Sequence, residues 1–519
     1  MTRMATERRR LQTDAVSGSL WITLQTVLGL PLAVVANAVV AHALGAESYG
    51  TLAVYLAAYA LVVSVLNAGI SDATVQWISA HNARGERPEL LAAIRRCSGY
   101  HVMIEAPLVG VLAAVLLRHS GMGSMLAGAA AAIVTMVLGT STVVMSGLGM
   151  NGLAARLSLA FTLATQTALI ATVSLSPVPA SVFVARLTVL SLGPAAALLL
   201  LAKDVRHAVL RPLLPAGWPP GFLAFAFRTA GSAVVSTLVF SRSELFVFKA
   251  YGLATQAGLF ALSAGVAGLI TAPIDSLLNP LLPAATGLLT TSPERAGAAL
   301  LRGLRTSTLF AGLVAAVGIP VLTPLLPLIY GGSFGAAATA FVVLAVVSCV
   351  QSTGHPVTAF LLAGRLTGVL LRVSVLAVVI DLGLAVALIP LIGVPGAVIA
   401  STLAQFTVLL VSARRVGLLL GVRASSQLGA MSFFIDALVV AAVAGGVEVA
   451  VGGPAALRGI IGLLVAFTAL ALAGRVHPSS GLTRADVSVI AGGLPRPFRS
   501  WFVWSVRIFS LERKSSAER

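Results

Sequence analysis

Charge is scarce in this 519-residue chain: 10% of its residues are Asp, Glu, Lys or Arg, and only 17 are acidic against 34 basic. Such a composition excludes an ordinary soluble globular protein. The two cysteines, Cys97 and Cys349, lie far apart and in or beside apolar stretches, so neither a disulfide framework nor a zinc site is indicated. The seven His show no metal-ligand spacing, and no HExxH, GxSxG or Walker-type sequence occurs. Long polar segments are also missing. A membrane glycosyltransferase, polymerase or ligase holds its acceptor in an external domain or long loop, and the loops here are too short for one, so no enzyme is expected.

What fills the chain instead is hydrocarbon: 58% of residues are apolar and the mean hydropathy is +0.99. Apolar runs long enough to cross a bilayer divide it into fourteen expected spans. Twelve are read at about 16–44, 49–78, 97–117, 123–148, 155–175, 180–202, 222–249, 253–286, 303–329, 334–362, 367–390 and 394–420. Two more follow at about 430–451 and 456–474. The first span is too long for a signal-peptide core and has no convincing cleavage site, so it is retained as a helix. If the chain crosses at each span, 27 of the 34 Lys and Arg fall on one side, Arg118, Lys249 and Arg458 on the other, and Arg186, Arg228, Arg242 and Arg372 inside spans. By the positive-inside rule both termini are cytoplasmic, in a multi-pass protein of a bacterial-type inner membrane. Topology and contact with anionic membrane lipids then account for the formal charge of +17, and no nucleic-acid partner is called for.

Two internal matches organise the spans. LGAESYGTLA, from Leu44, recurs loosely as YGLATQAGLFA, from Tyr251, an offset of 207 to 208. GMNGLAARLS, from Gly149, matches GRLTGVLLRVS, from Gly364, placing Gly152 and Arg156 on Gly368 and Arg372 at an offset of 216. Spans 7–12 therefore repeat spans 1–6 in the same orientation, which predicts an all-α polytopic membrane protein of two six-helix bundles related by a pseudo-twofold along the membrane normal. The expected domains are an N-terminal lobe (1–220), a C-terminal lobe (221–425), an additional transmembrane pair (426–475) and a basic cytoplasmic tail (476–519). In that tail PRPFRSWFVWSVRIFSLERK (495–514) reads as an amphipathic interfacial helix with an imperfect apolar face.

The most informative span is FLAFAFRTAGSAVVSTLVFSRSELFVFK (222–249). At 1.5 Å per residue the 21 steps from Arg228 to Lys249 cover roughly 31 Å, about one hydrocarbon thickness. Arg228, Arg242 and Lys249 are spaced by 14 and 7 residues, which at 100° per residue puts them within about 60° of one another. A cation at the centre of a lipid-facing helix costs about 2.5–3.5 kcal/mol or more, so Arg242 is expected to face protein or a water-filled cavity. Arg228 and Lys249 are equally compatible with snorkelling to the two interfaces. Arg186 is a further cationic candidate. Arg372 reads better as an anchor at the cytoplasmic end, like its repeat mate Arg156. Asp72, Glu105, Glu244, Asp275, Asp381, Asp436 and Glu448 are the acids inside spans, each a candidate for ion coupling or for pairing with a buried Arg. Asp275, Glu244 and Asp72 stand out as coupling candidates. Asp275 aligns with Asn67 at the 208 offset, and Glu244 lies two residues from Arg242 and so on a different face.

Certain stretches bring a family to mind. LGAESYGTLAVYLAAYALVVSVLNAGISDATVQWIS (44–79) resembles the opening of the polysaccharide flippases. DLGLAVALIPLIGVPGAVIAST (381–402), an apolar helix closed by Ile-Pro and reopened by Gly-x-x-Gly-Ala, looks like that family's penultimate core hairpin. These flippases belong to the multidrug, oligosaccharidyl-lipid and polysaccharide exporter superfamily. The resemblance covers spans 1–12 and is carried by turn motifs. It implies a V-shaped pair of bundles around a central cavity, alternating access, and an undecaprenyl-diphosphate-linked glycan as substrate, with a polysaccharide polymerase or glycosyltransferases as partners. An Asp-Ala-Phe pattern near the start, expected of the lipid II flippase branch, is missing. A glycan diphosphate carries about two negative charges, which Arg matches in geometry as well as charge. The substrate-binding residues are thus expected to be Arg242, Arg228, Lys249 and Arg186. No cofactor is called for beyond coupling to a Na+ or H+ gradient or to the membrane potential. A cation-coupled multidrug exporter of the same superfamily and a lipid II flippase are the alternative readings.

Overall fold

The structure, a computed structural model, describes residues 2–227, 230, 243–278, 281–364, 366–476, 482–483 and 512–513, with backbone alone for the first 28 and from 471 onward. It is all-α. Among the described residues eleven helices are long and apolar enough to cross a membrane, and Ala455–Leu470 is a shorter apolar helix. A two-residue parallel pairing of Leu482–Thr483 with Glu512–Arg513 is the exception. That pairing, rather than helix, occupies the end of the expected interfacial segment; its residues 495–511 lie outside the described ones. Large apolar side chains stand exposed on most spans, among them Leu391 at 77%, Leu410 at 64% and Val449 at 80%. A surface this apolar needs lipid around it.

The chain divides into two compact units, Met1–Gly258 and Leu259–Arg519. In the first, α1 (Thr2–Asn67) is two helices end to end, broken where Gly45 takes φ 69° and ψ 172°. It is followed by α2 (Ile70–Arg84), α3 (Arg87–Tyr100), a π-helical turn at His101–Glu105, and α4 (Ala106–Leu117). Next come α5 (Met122–Gly147), α6 (Asn151–Leu175), α7 (Pro179–Leu200) and the short α8 (Lys203–Leu210). Two expectations need correction here. The second span, read over 49–78, ends at Asn67, because Ala68 and Gly69 both take positive φ before α2 starts. The segment 79–96, read as a loop, is helical except at Gly85–Glu86.

Within this unit α1 packs along α6, and α5 lies against α4 and α7. Val109, Ala113, Leu117, Phe183 and Leu187 form one core with Tyr55 and Tyr59, and Ile78, Ile94, Val144, Met145 and Val205 form another. Outside the apolar spans, Arg87 at the start of α3 donates to Asp204 of α8 at 2.6 and 3.0 Å. Those bonds hold the Asp204 carboxyl below its ordinary value. Both side chains are about half exposed, so the tie is worth no more than about 1 kcal/mol.

The unit closes with α9 (Glu244–Ala250) and the first turn of α10 (Ala254–Leu278), separated by Gly252 at φ 72°. Gly45 and Gly252, matched by the sequence repeat, are thus both left-handed breaks between helices. Five residues after Gly45 and six after Gly252 a second matched pair meets in space. A Cβ on Gly50 would lie 2.1 Å from the Ala254 carbonyl oxygen, and one on Gly258 would lie 1.9 Å from that of Ala46. The contact is reciprocal, with Ala46-x-x-x-Gly50 crossing Ala254-x-x-x-Gly258, the small-x-x-x-small pattern that lets membrane helices touch backbone to backbone.

The second unit holds the rest of α10, then α11 (Leu281–Thr291), α12 (Ala296–Tyr330), α13 (Ala337–Thr353), α14 (His355–Ala363), α15 (Thr367–Ile392) and α16 (Val394–Leu420). After α17 (Ala424–Ala430), the pair α18 (Ser432–Val451) and α19 (Ala455–Val476) packs on α12. There Gly312 admits the Phe433 ring and Ala437, over a core including Leu309, Ala316, Val440, Ala444 and Leu470. The 381–402 hairpin is built differently from its sequence reading. Pro390 lies inside α15, and the helix stops two residues later at Ile392, capped by Gly393 at φ 64°. Gly396 then lets the start of α16 pass the Leu388 carbonyl, where a Cβ would come within 2.7 Å.

The Gly50 crossing yields a direct test. Gly50→Ala is expected to destabilise the purified protein by about 1–3 kcal/mol through overpacking. Gly268→Ala, where a Cβ meets open space on the same α10, is expected to be neutral or slightly stabilising. Thermal unfolding in detergent checks the pair, and equal effects would refute the close crossing.

Candidate functional site

Of the cationic residues singled out in the sequence, Arg228 and Arg242 lie outside the described residues. The described residues on either side of them are anchored. Residues 222–227 are helical, and Phe222 stacks on Trp218 with ring centroids 4.3 Å apart and meets the edge of Trp77 at 5.2 Å. One turn on, Ala226 passes Gly69 so closely that a Cβ there would sit 2.1 Å from the Ala226 carbonyl oxygen. At the other end, α9 buries Glu244, Leu245, Val247 and Phe248 and exposes Lys249. Trp218, Trp77 and Gly69 therefore fix where this span begins.

Arg186 is exposed on α7, about 10 Å in from the start of that helix at Pro179. It lies within electrostatic reach of Tyr49, whose hydroxyl donates to Asn37 Oδ1 at 2.8 Å. Tyr49 belongs to the LGAESYG motif and Asn37 precedes it, so a turn motif that carries a family resemblance also brings polar groups to an in-span cation. A guanidinium this deep in an apolar helix, with polar neighbours, fits a watered face better than a lipid face.

The acids separate by environment. Asp275, half-exposed on α10, accepts a hydrogen bond from Ser352 Oγ at 3.0 Å and faces His355 Nε2 at 3.6 Å, in a cluster joining α10, α13 and α14. His355 Nδ1 is held in turn 3.1 Å from the Ser352 carbonyl. Asp72 is exposed in the first turn of α2. Glu244 is 1% exposed at the start of α9, and Asp381 of α15 is equally buried. Glu448 is buried between α18 and α19, against Gly462 and in the field of Arg458. Arg372 and Arg156 are both exposed near the starts of α15 and α6, the matching positions the repeat predicts.

Several polar residues in these clusters were not singled out by sequence: Asn37, Tyr49, Ser352, His355 and His101. For the histidines the available signal was not metal spacing but position, since an imidazole in the middle of an apolar span needs a polar partner. Among the described residues no group of three or more His, Cys, Asp or Glu is placed to hold a metal ion.

Neither a known family profile nor any curated protein sequence matches the chain. Solved structures do. The inward-closed lipid II flippase MurJ superposes with a TM-score of 0.59 at 12% identity, over 88% of this chain and 99% of that one. An inward-facing multidrug resistance MATE family transporter of the MOP superfamily gives 0.57 at 16%, over 76% and 96%. A MOP superfamily transporter from Pyrococcus furiosus Vc1, for which the reverse polarity of the binding pocket suggests a different function, gives 0.53 at 14%, over 77% and 95%. At such identities the likeness concerns the fold: this is an all-helical membrane protein with the fold shared by MATE and MurJ transporters.

Proposed function

We propose that the chain moves a lipid-linked glycan diphosphate, of the undecaprenyl-diphosphate oligosaccharide type, across a bacterial-type cytoplasmic membrane by alternating access. The observation that carries this reading is the cationic stripe of span 7, Arg228, Arg242 and Lys249, placed by sequence on a chain with a MOP transporter fold. A drug-cation exporter on the same fold would need an acidic and aromatic cavity. Neighbours of one fold include proteins described as a multidrug transporter, a lipid II flippase and a transporter whose pocket polarity sets it apart. Fold alone therefore does not choose the substrate, and the sign of the charge presented to it does.

In this reading the repeat boundary near 220 separates two six-helix lobes, and α18 and α19 are an added pair. Both termini are cytoplasmic, and polysaccharide polymerase or glycosyltransferases act before or after transport. The diphosphate meets Arg228 and Arg242 first and Arg242 and Lys249 later, with Arg186 as a fourth cation. Moving negative charge outward is favoured by an inside-negative potential, by up to about 2.3 kcal/mol per charge per 100 mV for full transit. Cations that move with the cavity offset part of that, which gives ion binding at a carboxylate a role. Among Asp275, Glu244 and Asp72, the hydrogen-bonded cluster around Asp275 supports that residue most.

The test uses purified protein in vesicles and undecaprenyl diphosphate bearing a fluorescent oligosaccharide. Arg242→Ala is expected to lower flipping at least about tenfold while the protein still inserts, and Arg242→Lys to recover part of it by restoring charge without the fork. In the same assay Asp275→Asn is expected to lower flipping about tenfold, and Ser352→Ala less. In cells, loss of the protein should leave resistance to cytotoxic cations unchanged and let lipid-linked glycan accumulate on the inner leaflet. Drug sensitivity without such accumulation would establish the exporter reading instead.

A further inference from the structure

The first unit contains a polar cluster that the reading above does not use. Between α3 and α4 the chain makes its π-helical turn, His101–Glu105, near the start of the apolar stretch 97–117 and within the longer helical span Arg87–Leu117. Single π turns inside α-helices recur at functional sites, because the extra residue re-aims the side chains that flank it. Here the turn begins with an imidazole and ends with a carboxyl. His101 and Glu105 are 4% and 3% exposed, and His101 Nε2 lies 3.6 Å from Glu105 Oε2.

Polar groups of α1, α2, α3 and α5 surround the pair. On the α5 side Nδ1 lies 3.3 Å from Thr140 Oγ1. On the opposite edge, Nε2 lies 3.4 Å from Ser71 Oγ of α2 and 3.8 Å from Cys97 Sγ of α3. Tyr59 of α1 and Tyr100 of α3 both feel Glu105. Tyr100 donates to the Leu66 carbonyl, while the buried Tyr59 hydroxyl has no hydrogen-bond partner among the described residues.

The donors and acceptors define what this cluster can hold. Nδ1 faces the Thr140 hydroxyl, which can donate or accept, and Nε2 faces Glu105. One proton between them gives either neutral His101 with protonated Glu105, or imidazolium with carboxylate, and both arrangements are net neutral. Adding or removing a proton leaves a net charge inside the span, which costs several kcal/mol unless water reaches it. Ser71, Thr140 and Cys97 are hydroxyls and a thiol, which can reorient to either arrangement.

We propose that His101 and Glu105 form a proton-binding site of the first unit that couples transport to a pH gradient. The pair takes one proton from water when its unit is open to one side of the membrane and returns it to water on the other. The O–H or N–H bond formed on uptake is the bond broken on release, and no electrons are transferred. This inference rests on the transport reading, but its first test does not.

Infrared difference spectra of the purified wild-type protein in lipid are expected to show a protonated-carboxyl band that disappears between pH 5 and pH 9. That band should be missing in Glu105→Gln, and in His101→Gln it should titrate at a pH displaced by one unit or more. In the vesicle assay one proton per cycle makes a one-unit pH gradient change the steady-state glycan ratio about tenfold in wild type. In Glu105→Gln the ratio should not respond. A wild-type spectrum with no titrating carboxyl band overturns the proposal. So does a band that survives in Glu105→Gln, a band unmoved in His101→Gln, or a Glu105→Gln protein that keeps the tenfold response. If the band titrates as described but wild-type vesicles accumulate no glycan under any gradient or potential, the proton site stands and the glycan reading falls.

Discussion

Hydrocarbon offers no hydrogen bonds, and the whole arrangement follows from that. Backbone N–H and C=O groups must be satisfied within each segment, so the spans are helices and remain so through Pro320, Pro324 and Pro327 of α12. Side-chain hydroxyls obey the same constraint. Thr165, Thr188, Thr407 and Thr468 each donate to the carbonyl four residues earlier in their own helix, at 2.7 to 2.9 Å. These threonines therefore demand no partner helix. The polar residues that do reach across helices are correspondingly informative: Ser263 to the Ala337 carbonyl at 2.9 Å, Ser307 to that of Thr353 at 3.1 Å, and Ser141 to that of Pro194 at 2.6 Å.

Lipid also weakens the hydrophobic drive for one apolar helix to choose another, so close contact must come from shape. Glycine supplies it in two ways. At Gly45, Gly252 and Gly393 it takes backbone angles that end one helix and start the next. At Gly50, Gly258 and Gly396 it removes a Cβ that would strike a neighbouring carbonyl. The first repeat match owes its survival to both uses at once, since the turn glycine and the crossing glycine lie within one short motif in each copy.

Buried ionisable groups are the costliest feature, and they fall into distinct classes. Glu448 lies in the field of Arg458 inside the α18–α19 hairpin. The Asp275 and His101–Glu105 clusters instead set a carboxyl oxygen 3.6 Å from an imidazole nitrogen. They are not repeat equivalents. His101 lies in the third span of its half and His355 in the fourth of the other, so each unit reached a His-carboxyl pairing by its own residues. Asn67, the repeat mate of Asp275, nonetheless touches the first cluster indirectly, for its Oδ1 accepts from the Ser71 backbone N–H at 3.2 Å.

Membrane placement, helix class and approximate span positions were legible in the sequence, because hydropathy and length act locally and need no partner. The breaks at Gly45 and Gly252 were legible for the same reason, as was the periodic spacing of Arg228, Arg242 and Lys249. Tertiary structure alone decided the rest. That α2 starts at a new helix after Ala68–Gly69 depends on the passing Ala226 backbone, and that α15 runs through Pro390 depends on the close packing of α16. The meeting of Gly50 with Gly258, of Asp275 with Ser352 and His355, and of Glu105 with a ring held by α5 and α2 joins residues tens to hundreds of positions apart. Hydropathy treats each such residue as one more polar interruption of an apolar run; only the packing of helices determines which other interruption will satisfy it.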